Sequence, residues 1–336
     1  MTPYQHGGDI TTFAQRADCH PCEVIDLSSN INFIKPHISV DFNTLPISAY
    51  PNYESLTHTI ATHYGVSIDS LELFNGASVG IFTLFRTLAL SHSTLYTPAY
   101  LEYKKASKAF GYHLTMIDRF EALDSKVAEG SLVVFVNPST PDGYYYPIES
   151  MLEEWHAKGC TILIDESFLE FSSHRSLSHY LDRYERLYIL KSMTKFFGSA
   201  GIRMGAILSS PTNIASLQAT EPLWKLSAFD SAYIQSALAD STFGSRSADA
   251  HAKSLAYLLP KLESSPLIRR IYPSDANFLL IELASMRAEE LQAHLLPYRI
   301  MVRDCSNFDG LTPYHVRIAI KSLHDLQHLI KALPHE

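Results

Sequence analysis

Short apolar runs recur along the chain, each bounded by polar or turn-forming positions. Leu132-Val133-Val134-Phe135-Val136 shows no alternation, as expected of a parallel strand covered on both faces. Thr161-Ile162-Leu163-Ile164 reads as the next strand, and Leu187-Tyr188-Ile189-Leu190 and Gly205-Ala206-Ile207-Leu208 as buried strands. Helical spacing predicts a helix over 55–64, closed by Gly65, and a crossover helix over 148–158, closed by Gly159. Leu73-Phe74 leads through the small-residue turn Asn75-Gly76-Ala77-Ser78 into a helix over 82–88. Residues 93–96 form the next strand, and 11–16 and 24–27 a short helix and a short strand. Strands and helices in this alternation predict an α/β fold with a mostly parallel sheet. Residues 277–281 and 316–320 read as strands of a second, smaller sheet.

The 336 residues exceed what one compact core usually holds, so two domains are expected. A net charge of −8 and a pI near 6.0 argue against a general nucleic-acid binder, which needs a basic face. No basic leader with an apolar run and no long apolar segment occurs, so a soluble, cytoplasmic protein without a membrane partner is expected. Cys19-His20-Pro21-Cys22 has the spacing of a redox pair or half a zinc site. It falls in a polar N-terminal segment, and Cys160 and Cys305 are isolated. It therefore reads as ordinary loop thiols, with no metal site.

Chemistry concentrates after the strand at 187–190. Ser192, Thr194, Lys195 and Arg203 lie among small residues on a loop, where α/β enzymes place their sites. A lysine beside hydroxyls and an arginine suits a phosphorylated aldehyde: the amine forms a Schiff base and the others hold the phosphate. Several other stretches carry usable groups. The N–H groups of the 75–78 turn make an anion site at a helix start. Tyr100, in Thr97-Pro98-Ala99-Tyr100, can stack on a flat ring. Asp165, at a strand end, can pair with a ring nitrogen. Two glycines after His6 allow close approach to an anion. Ser28-Ser29-Asn30-Ile31-Asn32 is a polar loop, and Arg303 and Arg317 near strand ends could clamp a carboxylate or phosphate.

Ser192-Met193-Thr194-Lys195 followed by Gly201-Ile202-Arg203-Met204-Gly205 resembles the lysine motif of the fold-type I pyridoxal phosphate (PLP) enzymes. The partner elements follow in the order of the class II aminotransferase branch, which includes histidinol-phosphate aminotransferases. They run from Tyr50-Pro51 through Asn75-Gly76, Pro98-Ala99-Tyr100 and Asp165-Glu166 to the C-terminal arginines. His6-Gly7-Gly8 with Asn30-Ile31-Asn32, Asp165-Glu166-Ser167-Phe168 and Val302-Arg303-Asp304-Cys305 are most similar to the threonine-phosphate decarboxylases of cobalamin biosynthesis.

The resemblance implies a large PLP-binding domain over 45–225 and a smaller C-terminal α/β domain over 226–336. Residues 1–44 would serve the small domain and the substrate site. Lys195 would carry PLP, Asp165 would face the ring nitrogen and Tyr100 would stack on the ring. Ala77, Ser78, Ser192, Thr194 and Arg203 would hold the cofactor phosphate. Tyr50 would reach the phosphate in the other subunit of a homodimer with shared sites. His6, Asn30, Arg303 and Arg317 would hold the phosphate end of a phosphorylated amino acid. Thr140 stands where the family has an asparagine that bonds the PLP ring oxygen and would be a cofactor-binding residue in its place, and Phe168 stands where its aminotransferases have a tyrosine. The decarboxylases tolerate that phenylalanine.

The implied reaction is decarboxylation of O-phospho-L-threonine, or of O-phospho-L-serine, which lacks one methyl. One methyl is worth roughly 1–3 kcal/mol in a pocket, so the residues do not separate the two. A histidinol-phosphate-type aminotransferase is the alternative, and a non-enzymatic binding protein on the same fold the third.

Overall fold

The computed structural model describes residues 7–334. A two-residue strand, β1 (Ile25–Asp26), comes first in the chain. Seven strands then build the large sheet: β2 (Leu71–Phe74), β3 (His92–Thr97), β4 (His113–Asp118), β5 (Leu132–Val136), β6 (Thr161–Asp165), β7 (Leu187–Ser192) and β8 (Gly205–Leu208). Their order is β2-β8-β7-β6-β5-β3-β4, and β8 alone runs antiparallel to its neighbours.

The reason the central strands lack alternation is visible in their packing. Val133, Phe135, Ile162, Ile164, Leu187 and Ile189 enter one core. Leu132, Val134, Val136, Leu163, Tyr188 and Leu190 enter another on the opposite face. Both faces are packed, so the runs are near-continuously apolar. The edge strand β4 carries no continuous apolar run because most of its residues stay outside the core.

The second sheet holds β9 (Ile268–Ile271), β10 (Phe278–Leu283), β12 (Arg303–Asp304) and β13 (His315–Ala319), in the antiparallel order β12-β13-β10-β9. The strand β11 (Ile300–Met301) pairs in parallel with β1, so the N-terminal segment runs beside this sheet. Here alternation holds. Val316 and Ile318 enter the core beneath the sheet with Leu279 and Ile281. Arg317 lies between Val316 and Ile318 and therefore stands on the other face. Among the described residues, no helix is long and apolar enough to cross a membrane.

Candidate active site

A cavity of about 620 Å³ lies where the C-terminal ends of β6 and β7 meet the second sheet and the N-terminal loop. Lys195 lines it. The residue sits not on an open loop, as expected, but in a single helical turn, Met193–Phe196, directly after β7. That turn is clamped by Asn32, which donates its backbone N–H to the Lys195 carbonyl at 2.9 Å and its side-chain amide to the Phe196 carbonyl at 2.9 Å. Lys195 Nζ lies 3.5 Å from Ser192 Oγ and 5.1 Å from the centre of the Phe168 ring. Burial lowers the lysine pKa, the field of Asp165 opposes this, and Arg203 and Arg317 reinforce it. A larger neutral fraction makes the amine a better nucleophile.

Asp165 ends β6 and is 5% exposed. Its two oxygens are held separately. Tyr103 donates its hydroxyl to Oδ2 at 2.7 Å. Ser167 donates its backbone N–H to Oδ1 at 2.9 Å and its hydroxyl at 2.5 Å. Burial, then the Asp165 charge, pushes the Tyr103 phenol well above its ordinary pKa, so it remains a donor. Tyr103 lies three residues after Tyr100 on one helix face, a spacing that could have identified it. Behind Asp165, Glu166 and Lys191 form a buried pair at 2.5 Å, and Glu166 also accepts from Ser176 Oγ and the Leu177 N–H.

The candidate anion-binding end is the start of the helix Ala77–Leu88. No side chain caps it, so its first N–H groups are available to an anion. Ala77, Ser78, Ser192, Thr194, Arg203 and Tyr100 all line the cavity. Ser78 Oγ lies 3.3 Å from the Tyr100 hydroxyl, and Ser192 Oγ 3.0 Å from Thr194 Oγ1. Gly76, at φ 85°, lets Arg203 close over this end: a Cβ there would sit 2.5 Å from the guanidinium.

The opposite wall carries Arg303 and Arg317, which are register partners across β12 and β13. Arg317 donates Nη1 to Thr140 Oγ1 and Nη2 to the Ser28 carbonyl, each at 3.1 Å. Arg303 donates to the Asp304 carbonyl at 2.6 Å and to Asn307 Oδ1 at 2.8 Å, and lies over Phe308. Burial brings the Arg317 pKa down to about 10, which leaves it cationic near neutrality.

Asn30 lines the same wall, its carbonyl accepting from Asn277 Nδ2 at 2.9 Å. Lys321, not anticipated, donates to the Ile31 carbonyl at 2.5 Å. Donors from the second sheet thus pin the 28–31 loop to the cavity. A single lysine after a strand offers no spacing from which this could be read.

Gly7 and Gly8 reach the cavity, while His6 lies outside the described residues. Gly7 packs so closely that a Cβ would meet the Ser28 carbonyl at 2.3 Å. Tyr50 does not line the cavity of its own chain: it is 75% exposed and stacks on Trp224, itself 54% exposed, at 4.0 Å. Cys19 and Cys22 are both free, and Cys22 Sγ contacts His20 Nδ1 at 3.0 Å. Among the described residues, no group of three metal-ligating side chains occurs.

The groups present fit PLP: an amine of lowered pKa, a fixed carboxylate, an aromatic plate and an uncapped helix start beside hydroxyls and an arginine.

The model of the family described as aminotransferase class I and II matches residues 35–333. A putative threonine-phosphate decarboxylase of Caldanaerobacter subterraneus is 28% identical over 352 residues, covering 99% of this chain and 94% of that protein. The adenosylcobalamin biosynthesis bifunctional protein CobDQ of Leptospira interrogans is 27% identical; the match covers 98% of this chain but 40% of the bifunctional protein. The solved histidinol-phosphate aminotransferase of Clostridium acetobutylicum superposes with a TM-score of 0.81 at 28% identity, covering 91% of this chain and 97% of that one.

Proposed function

The chain belongs to the aminotransferase class I and II family, whose fold-type I members depend on PLP, and from that premise we propose that it decarboxylates O-phospho-L-threonine. Its product would be aminopropanol phosphate, for the cobalamin nucleotide loop. The observation that carries this reading is the Arg303–Arg317 pair, which faces the cavity that Lys195 lines. Two cations on one wall suit the dianion of a phosphate monoester better than a lone carboxylate.

Bound PLP supplies an electron sink for whichever Cα bond stands perpendicular to its ring. The residues decide which bond that is. Lys195 would hold the cofactor, Asp165 its ring nitrogen and Tyr100 its face. Ala77, Ser78, Ser192, Thr194 and Arg203 would take its phosphate. With Asn30 and His6, the arginines would clamp the substrate's phosphate so that its carboxylate takes the perpendicular position. Phe168, 3% exposed with its ring centre 5.1 Å from Lys195 Nζ, offers no proton there. Lys195 Nζ would return a proton to Cα.

The test supplies O-phospho-L-threonine and O-phospho-L-serine separately to the PLP-loaded protein and records CO₂. CO₂ without any oxo-acid supports the reading, and the ratio of the two rates names the substrate. The alternative, a histidinol-phosphate-type aminotransferase, is favoured by the 0.81 superposition. Glutamate formed from histidinol phosphate and 2-oxoglutarate, without CO₂, would establish it and sink the first reading.

The proposal includes a homodimer in which Tyr50 completes the partner's phosphate site. Exposed Tyr50 and Trp224 support this. Equilibrium sedimentation giving only monomer would refute it. It also divides the chain near residues 44 and 225, which limited proteolysis checks.

A further inference from the structure

Thr140 lines the cavity, and its hydroxyl oxygen accepts from Arg317 Nη1 at 3.1 Å. The turn that carries it is rigid. Asn137 and Tyr146 exchange hydrogen bonds of 2.9 Å in both directions. Asp142 accepts from the Tyr146 hydroxyl at 3.0 Å and from Ser139 Oγ. Thr140 is 7% exposed, so its hydroxyl is a fixed point.

Arg317 is held at both ends. One terminal nitrogen is on Thr140, in the turn that follows β5, and the other is on the Ser28 carbonyl of the N-terminal loop. The Phe278 ring lies 4.9 Å beneath it. Both tethers are neutral oxygens, so the positive charge is not cancelled by them. A guanidinium has five N–H donors, and two are committed here. Nε is buried with no partner among the described residues. The tethers set the plane of the guanidinium before any anion arrives, so less rotamer entropy is lost on binding.

We propose that Thr140 is a positioning residue for the substrate's anionic group, acting through Arg317, and not a ligand of the cofactor ring. This deepens the reading above and rests on it only in assigning Arg317 to the substrate. Thr140→Val keeps the shape and removes the hydroxyl, and Thr140→Ser keeps the hydroxyl. Both are compared with wild type as PLP-loaded enzyme, using whichever phosphorylated substrate the wild type turns over. Inorganic phosphate, followed by thermal shift, gives the same comparison without turnover.

The valine variant should raise KM, and the phosphate dissociation constant, by roughly tenfold, the effect of losing one hydrogen bond to a charged group. Its kcat should stay within about twofold, as for loss of ground-state binding. The serine variant should restore both constants. The pH midpoint of the PLP visible absorbance should not move in either variant. A shifted midpoint in the valine variant would place the hydroxyl on the ring and overturn the proposal. So would an unchanged KM and phosphate constant. A failed functional reading shows instead in the wild-type product.

Discussion

Arg303 and Arg317 stand directly opposite one another in the antiparallel pairing of β12 with β13. Like charges at such positions repel, at a cost of up to about 1 kcal/mol. The partners that Arg317 has are a hydroxyl and a carbonyl, neither of which carries charge. A bound dianion relieves the repulsion.

Inorganic phosphate should therefore raise the melting temperature of the PLP-loaded protein, following mass action. Arg317→Gln should flatten that response and weaken substrate binding by a hundredfold or so, on the order of 2–3 kcal/mol. Thermal unfolding against phosphate concentration checks both. An undiminished phosphate response in the variant would remove Arg317 from the anion site.

Lys195 gives a pH prediction. Its pKa is lowered from 10.5 on folding, chiefly by burial. Between the lowered value and 10.5 the unfolded chain holds more protons on this group than the folded one, so stability rises with pH there. Below both values the group costs stability. PLP-free Lys195→Met should thus melt higher than PLP-free wild type at neutral pH, with the gap closing as pH climbs towards 10.5. The variant should also lack the visible absorbance of lysine-linked PLP. Melts across a pH series and one spectrum test this.

Gly76→Ala should damage the anion end selectively. The residue has φ 85°, and a Cβ would press on the Arg203 guanidinium. A side chain at φ 85°, ψ 152° costs on the order of 1–3 kcal/mol, because that backbone region is essentially open to glycine alone. Arg203 must also swing away, so PLP should bind at least about tenfold more weakly. Equilibrium dialysis of PLP against the variant measures it. Unchanged affinity would show that Arg203 contributes little.

Tyr103→Phe should loosen Asp165 without unfolding the protein. It leaves Oδ2 without its 2.7 Å donor. A buried carboxylate oxygen deprived of a partner costs about 1–3 kcal/mol. Stability should fall by that amount, and kcat should drop with little change in KM, because the proposed partner of Asp165 is the cofactor rather than the substrate. Denaturant melts and steady-state kinetics separate this from a purely structural effect, which would leave kcat intact.

The repeated apolar runs, the helix-closing glycines and the Ser-x-Thr-Lys stretch were legible in the chain because each depends on neighbours a few residues away. Periodicity locates a strand, and a strand end locates its loop, so Asp165, Lys195 and the helix start at Ala77 could be placed without coordinates. The alternation Val316-Arg317-Ile318 likewise puts Arg317 opposite the core. What faces what could not be read. That Arg317 meets Arg303, that its hydrogen bond goes to Thr140, 177 positions away, and that Asn277 and Lys321 pin the 28–31 loop all follow from register and from the approach of the two sheets. Those contacts join residues whose separation in sequence carries no periodic signal. Only folding, which buries both sheets' apolar faces at once, brings their polar edges together around one cavity.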